Sequence, residues 1–170
     1  VDVPFLSSAN WGGHGLHPRG NFEGYTQAAA DQKWLEVHNI EHWTEFYTDY
    51  GRELQLEFFD HFLKDEDSGW TDQPDVRLQV RRPDGEFIER HEDDWPIPRT
   101  EFTRYYLDAD GHDLVADQPD ASSSVTYDAL GDGVTFLTDP LDEETELTGP
   151  MSAKLFVESE TEDADLFLVV

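Results

Sequence analysis

The sequence predicts a chain of two unlike parts, α/β over residues 1–68 and all-β over residues 69–170. Two short apolar runs, Val3-Pro4-Phe5-Leu6 and Lys33-Trp34-Leu35-Glu36-Val37, flank a segment of helical spacing. A long amphipathic stretch then fills residues 44–64. After Trp70 the hydrophobic period changes from helical to two, so the architecture changes class within the chain.

In order, residues 3–9 read as a short buried strand. Residues 21–31 read as a helix, because Phe22, Tyr25, Ala28 and Ala29 recur at helical spacing. Residues 33–38 read as a second strand. Residues 44–64 form the strongest helix signal, with Thr44 as N-cap and Glu45 in the first turn. Tyr47, Tyr50, Leu54, Phe58 and Phe62 make one stripe, which Phe59 and Leu63 widen. Lys64 closes it with a cation that suits the helix dipole. Asp65-Glu66-Asp67-Ser68-Gly69 breaks the pattern and places the boundary between the two parts within 66–75. Val76, Leu78 and Val80 then alternate with Arg77, Gln79 and Arg81, the pattern of a half-buried strand. Further strands are predicted at 102–107, 124–127, 133–138, 151–158 and 165–170. Pro83-Asp84-Gly85, Asp110-Gly111, Gly131-Asp132-Gly133 and Gly149-Pro150 supply turns between them. Short strands without helices make a β-sandwich.

At 170 residues, with 37% apolar and 13% aromatic content, the chain can build a core. Its net charge is −28, and the carboxylates are dispersed from Asp2 to Asp165. Lysine occurs only at 33, 64 and 154, against eight arginines. Dispersed acid with little lysine points to a high-salt cytoplasm, where screening removes most self-repulsion. The competing reading is a surface for cations or basic partners. Either way the sign excludes nucleic acid as a partner. No cysteine is present, so disulfide and thiolate chemistry are excluded. No apolar run reaches membrane-spanning length, and the amino terminus has neither the basic nor the long apolar region of a signal peptide. Both ends are expected to be cut through structure, since the chain starts at Val1 and stops on Leu166-Phe167-Leu168-Val169-Val170.

The two early strands each run into a loop rich in His and Trp. The first is Asn10-Trp11-Gly12-Gly13-His14-Gly15-Leu16-His17 and the second is His38-Asn39-Ile40-Glu41-His42-Trp43. In open α/β sheets ligands and catalytic groups gather at the carboxyl ends of strands. Strand, loop, helix, strand, His, long helix is the order found at the end of an α/β-hydrolase sheet, where the catalytic His follows the acid along the chain. His42 is therefore the candidate general base, with an imidazole that titrates near neutrality. Its plain alternative is a loop histidine packed on Trp43. Trp11 and Trp43 are candidate substrate-pocket residues. Core and seam packing is the favoured role for the five tryptophans together, with Trp95 tethering the β-rich part to the first. A metal reading rests on His14 and His17, on His38 and His42, and on His61. An i, i+4 pair starting at a strand end does not share a face, so no metal and no cofactor is expected. Arg77, Arg81 and Arg82 read as a solvated strand face bridging to carboxylates. Asp139, Asp142, Glu143, Glu144 and Glu146 read as a hydrated turn rather than a calcium loop.

Several segments resemble the cocaine-esterase-like (CocE/NonD) hydrolases, relatives of the X-Pro dipeptidyl-peptidases. They are Asn10 to Asn21, Lys33 to His38, Phe58 to Lys64, Arg90 to Thr100, Val125 to Ala129 and Glu146 to Pro150. The resemblance implies a serine hydrolase of small esters or peptide-like amides, with a Ser-His-Asp triad on an α/β-hydrolase domain and a jelly-roll β-sandwich packed against it. On that footing residues 1–68 are the carboxyl-terminal part of the hydrolase domain and residues 69–170 the amino-terminal part of the jelly roll. His42 then corresponds to the triad histidine, and His38-Asn39-Ile40-Glu41 occupies the place of a Gly-Pro-Trp-Ser-like tetrapeptide. The triad acid of that family often falls two residues after the tryptophan of the first loop, where this chain has Gly13. Glu41 and Glu23 are the remaining candidates. The chain holds no Gly-x-Ser-x-Gly, so it supplies neither nucleophile nor oxyanion hole and is expected to be inactive alone. The rival reading is a non-catalytic β-sandwich accessory or binding module whose histidines are inert. In either case the exposed strand edges of a partial sandwich are expected to pair with a second copy.

The charge makes a direct expectation. The melting temperature should rise from low to molar salt in calorimetry, and a value independent of salt would exclude adaptation to a high-salt cytoplasm.

Overall fold

The computed structural model describes residues 1–13, 16–39 and 41–170, with residue 42 described by its backbone. Strand β1 (Phe5–Asn10) leads through α1 (Pro18–Gln27) to β2 (Lys33–His38), and β1 and β2 pair in parallel from Phe5↔Lys33 to Asn10↔His38. Helix α2 (His42–Phe46) and helix α3 (Asp49–Lys64) follow, then a 3₁₀ turn at Trp70–Asp72. Strand β3 (Val76–Arg81) returns to lie parallel beside β2, and β4 (Phe87–Glu92) folds back on β3 as an antiparallel hairpin. The result is one mixed sheet of order β1-β2-β3-β4, so strands from both sides of residue 68 share a hydrogen-bonded ladder. The hairpin turns through Gly85, whose φ of 87° favours a residue without a Cβ. A second sheet consists of β5 (Tyr106–Asp108) and β6 (Asp113–Val115).

Alternation along β2 sends its side chains to two separate cores. Leu35 and Val37 join Ala9, Val76 and Leu78 on one face, beneath Tyr25 of α1. Trp95 and Ile97, from the segment after β4, complete this cluster, and Trp95 stacks on Phe22 at 4.3 Å. The expected tether is thus an aromatic contact between the two parts of the chain. On the other face Trp34 meets Leu54 and Phe58 of α3 and Trp70 of the 3₁₀ turn. Trp70 is 1% exposed and lies edge-on to Trp34 and Phe58, at 5.2 and 5.0 Å. Fully burying a large apolar side chain contributes about 1.5–3 kcal/mol, so this cluster is what fastens α3 to the sheet. Further along, Glu92 receives both guanidinium nitrogens of Arg99 at 2.5 and 2.6 Å and faces Arg90 Nε at 2.6 Å. Arg90 also donates to Glu146 at 2.7 Å, and Arg82 pairs with Glu144 at 3.3 Å. The Arg99 hydrogen bonds outweigh burial and hold the Glu92 carboxyl below the ordinary glutamate value.

Three expectations are corrected. The first helix starts earlier than position 21, because Pro18 occupies its first turn, and it ends at Gln27, where Ala28 turns extended. The 44–64 helix is two helices. Thr48 adopts an extended conformation and its hydroxyl caps Gly51 N at 3.1 Å, so the cap is Thr48, whereas Thr44 donates to Glu41 at 3.2 Å. The expected strands at 124–127, 133–138, 151–158 and 165–170 do not form ladders. Among the described residues, the pairing beyond β6 is the single bridge Asp113↔Leu137. A period of two reports an extended backbone with opposed side chains. It carries no information on whether a neighbouring strand is there to take the hydrogen bonds. The described residues include no helix long and apolar enough to cross a membrane.

The break between α2 and α3 depends on a missing side chain. A Cβ at Gly51 would lie 2.1 Å from the Glu45 carbonyl oxygen and 2.9 Å from its carbon. Gly→Ala within a helix ordinarily stabilises by about 0.5–1 kcal/mol. Here Gly51→Ala should reverse that sign and cost about 1–3 kcal/mol by forcing the two helices apart. Urea unfolding checks this, and a raised midpoint would contradict the packing.

Candidate active site

The carboxyl ends of β1 and β2 carry a buried polar row. Trp34, Glu36 and His38 share the α3 face of β2, and the register sets Ser8 beside Glu36, Asn10 beside His38 and Arg77 beside Glu36. Glu36 is 3% exposed and His38 2%. Ionisable groups at that depth require partners. The Ser8 hydroxyl donates to Glu36 Oε2 at 2.6 Å, and the Tyr50 hydroxyl reaches Oε1 at 3.4 Å. His38 Nδ1 lies 3.0 Å from Oε2 and 3.2 Å from Oε1. A carboxylate only accepts, so Nδ1 is the protonated ring nitrogen and Nε2 faces away from Glu36. Nε2 is buried and has no hydrogen-bond partner.

Neighbouring groups respond to this charge. Burial, reinforced by the Glu36 carboxylate, pushes the Tyr50 phenol well above its ordinary value. Burial opposes the charge on Arg77, but its hydrogen bond to Tyr50 and the carboxylates of Glu89 and Glu36 prevail and raise it. Arg77 also donates to Gln73 and lies 3.8 Å from Glu89. The strand face expected to be solvated is therefore half-buried at Arg77, which belongs to the polar row.

The two loops are tied to the strand ends. Trp11 N donates to His38 O at 3.0 Å, and Trp11 Nε1 donates to Gln79 O at 2.7 Å. Asn39 N donates to Gln79 Oε1 at 3.0 Å. Trp11 packs on Phe22 at 5.7 Å, while Trp43, on α2, is 58% exposed, so the two candidate pocket tryptophans sit in different settings. The backbone of His42 opens α2, four residues beyond the end of β2, and its side chain lies outside the described part of the structure, as does all of His14. Gly13 N donates to Asn10 Oδ1 at 2.5 Å, and a Cβ at Gly13 would lie 2.9 Å from the His17 ring. An acid at that position would have to displace His17. Glu41 is exposed and accepts from Thr44, and Glu23 is exposed and accepts from Gln27. Neither joins the buried row. Its carboxylate is Glu36, which went unrecognised in the sequence. An acid inside a buried apolar strand, two residues before a histidine on the same face, was the available signal.

His38 has a carboxylate on one ring nitrogen and an unoccupied second nitrogen, the arrangement of a general base. Its Nε2 is nevertheless sealed by atoms of this same chain, so an attacking hydroxyl from elsewhere has no approach. Ser8 bonds to Glu36 rather than to the imidazole and is not activated as a nucleophile. Among the described residues no three His, Asp or Glu side chains are placed to hold a metal ion. His61 packs edge-on to Phe62 at 4.6 Å on α3. A cleft of about 330 Å³ lies at the amino end of β2, lined by Tyr25, Asp31, Lys33, Asp75 and Asp94, away from the strand ends that carry the row.

A small mixed sheet with few helices, followed by the short β5–β6 ladder and a long segment of little regular structure, defines a β-rich chain with helices near its amino terminus. Residues 68–170 match the model of the X-Pro dipeptidyl-peptidase C-terminal non-catalytic domain, and the chain belongs to that family. Two crystal structures of a CocE/NonD family hydrolase from Staphylococcus aureus are similar at 38% identity, with TM-scores of 0.65 and 0.66. The match covers 69% of this chain and 21% of the hydrolase, so the chain spans about a fifth of that protein's length. No curated protein matches.

The buried row predicts unequal costs. Glu36→Ala strands the buried His38 Nδ1 proton and the Ser8 hydroxyl, and should destabilise by about 3–5 kcal/mol. Ser8→Ala removes one hydrogen bond to a charged group and should cost about 1.5–3 kcal/mol. Chemical denaturation of both variants checks the order, and equal costs would show that Glu36 is not the hub.

Proposed function

We propose that this chain is a piece of a CocE/NonD-type serine hydrolase that cleaves ester or amide bonds, including peptide-like X-Pro substrates. In this reading residues 1–68 are the end of its α/β-hydrolase sheet and residues 69–170 the first part of its jelly roll, a domain whose family is described as non-catalytic. The observation that carries the proposal is the parallel β1–β2 pair, with the carboxyl end of β2 leading into α2, whose first residue is His42. Identity of 38% to a CocE/NonD hydrolase supports it. A histidine on the loop or turn that follows a late strand can reach a nucleophile held by the neighbouring strands.

The chemistry divides between this chain and the rest of the enzyme. A serine outside this chain attacks the substrate carbonyl. The imidazole of residue 42 takes the hydroxyl proton and returns it to the leaving group, which keeps the alkoxide and the departing alcohol or amine from building up charge. Trp43, next to residue 42, and Trp11, on the loop after β1, contribute pocket wall. The β-rich part shapes and shields the substrate side and performs no bond chemistry. The net charge of −28 suits a high-salt cytoplasm as the working environment.

The test uses the full-length protein and a nitrophenyl ester. His42→Ala should lower kcat by about 10³-fold or more, in line with loss of a triad member. The 170-residue chain alone should show no turnover that a serine-directed inhibitor removes. Undiminished kcat in His42→Ala would overturn the assignment of residue 42 and favour a purely accessory role for this segment.

A further inference from the structure

The proposed chemistry gives no role to Gln79. This residue lies on β3, inside the stretch 68–170 that matches the non-catalytic domain, yet it bonds to both loops of the candidate site. A parallel ladder advances by two residues on each strand from one hydrogen bond to the next. Here Leu35 N donates to Asp75 O at 2.9 Å, and the paired register closes at Val37↔Leu78. The same step repeated would bring Asn39 N to Gln79 O. The indole of Trp11 takes that acceptor instead, with Nε1 2.7 Å from Gln79 O. Asn39 N donates to the Gln79 side-chain oxygen at 3.0 Å. A backbone donor that leaves its ladder needs such a substitute acceptor. Trp11 N also donates to His38 O at 3.0 Å, so Trp11 reaches over the end of β2 to β3. This exchange of partners ends the ladder and turns the chain out of the sheet just before His42, the first residue of α2.

We propose that Gln79 is a positioning residue for the hydrolytic site, a clasp on β3 that holds the Trp11 indole with its carbonyl and the start of the link to His42 with its amide oxygen. It touches no substrate and acts through Asn39 and Trp11. Its footing is independent of the loops. Val76 and Leu78 of β3 are fully buried in the core with Trp95 and Ile97, and β4 pairs with β3 from Val76↔Glu92 to Arg81↔Phe87. The region matched as non-catalytic thus lends order to the site and supplies no reacting group. The role in catalysis rests on the reading of residue 42 as the triad imidazole, whereas the clasp itself does not.

Gln79→Met removes the amide oxygen and keeps both the side-chain length and the carbonyl that Trp11 uses. In hydrogen–deuterium exchange of the full-length protein, the segment that begins at Asn39 should exchange about tenfold faster in Gln79→Met, while Leu35 to His38 stay protected. With a nitrophenyl ester, kcat should fall about tenfold and KM should stay within about twofold, the signature of a misplaced catalytic group. Gln79→Glu keeps an acceptor oxygen but faces Glu89 across the hairpin. In molar salt, where that repulsion is screened, it should recover kcat to within about twofold of wild type in the same salt. Unchanged exchange at Asn39 in Gln79→Met overturns the clasp. Faster exchange with wild-type kcat, in an enzyme that His42→Ala inactivates, overturns the positioning role alone. A Gln79→Glu no more active than Gln79→Met overturns it too, as does loss of the whole fold in Gln79→Met, which would make Gln79 a residue of general stability. Full activity in His42→Ala overturns the reading of residue 42 and any catalytic role of Gln79 with it, and the exchange result then decides the clasp.

Discussion

Strand β2 is buried on both faces, and the rest of the amino-terminal half is arranged to cover it. One face is met by α1 and by Trp95 and Ile97 from beyond the hairpin. The other is met by α3 and the Trp70 turn. A strand closed on both sides leaves its neighbours little freedom of register, because a shift of one residue would exchange Leu35 and Val37 for Trp34, Glu36 and His38. The parallel partners β1 and β3 are therefore fixed by what β2 must bury, and the loops that leave their carboxyl ends are fixed in turn.

The polar half of that face is the costly part. Moving a carboxylate and an imidazole out of water is unfavourable by several kcal/mol per ion unless hydrogen bonds replace the lost hydration. Ser8 from β1 and Tyr50 from α3 supply them to Glu36, and Arg77 of β3 lies beside Glu36 in register and donates to the Tyr50 hydroxyl. The two donors come from different elements, so Glu36 is a meeting point where β1, β2 and α3 must agree. Such a point specifies geometry more than it adds stability, and it fixes the strand ends from which the two His- and Trp-bearing loops leave.

Much of this was legible in the sequence, and what was missed has physical causes. The apolar runs gave β1 and β2 within a residue or two, because both are flanked by polar loops. The β3 alternation was equally plain. The long helix was misread as continuous because the apolar stripe passes through Tyr47 and Tyr50 without interruption, and only the Thr48 cap and the close approach at Gly51 reveal the break. The period-two segments beyond Leu107 were read as ladders, although alternation constrains the backbone of one segment and not its pairing. Glu36 escaped notice because an acid in an apolar strand is normally a solvent-facing residue. Its hydrogen-bond partners Ser8 and Tyr50 lie 28 and 14 positions away in the chain, and sequence patterning does not reach that far. The expectation at His42 rests on its neighbours in the chain alone.

The shared ladder between β2 and β3 has a consequence for how such proteins change over time. Recombination that joins a hydrolase from one ancestor to an accessory domain from another would cut between Lys64 and Val76, the natural seam by composition. It would also part Leu35, Glu36 and Val37 from Val76, Arg77 and Leu78, and deprive Ala9 of Trp95. A crossover at the compositional seam would therefore cut through the sheet and its core, so the seam in composition is not a seam in packing.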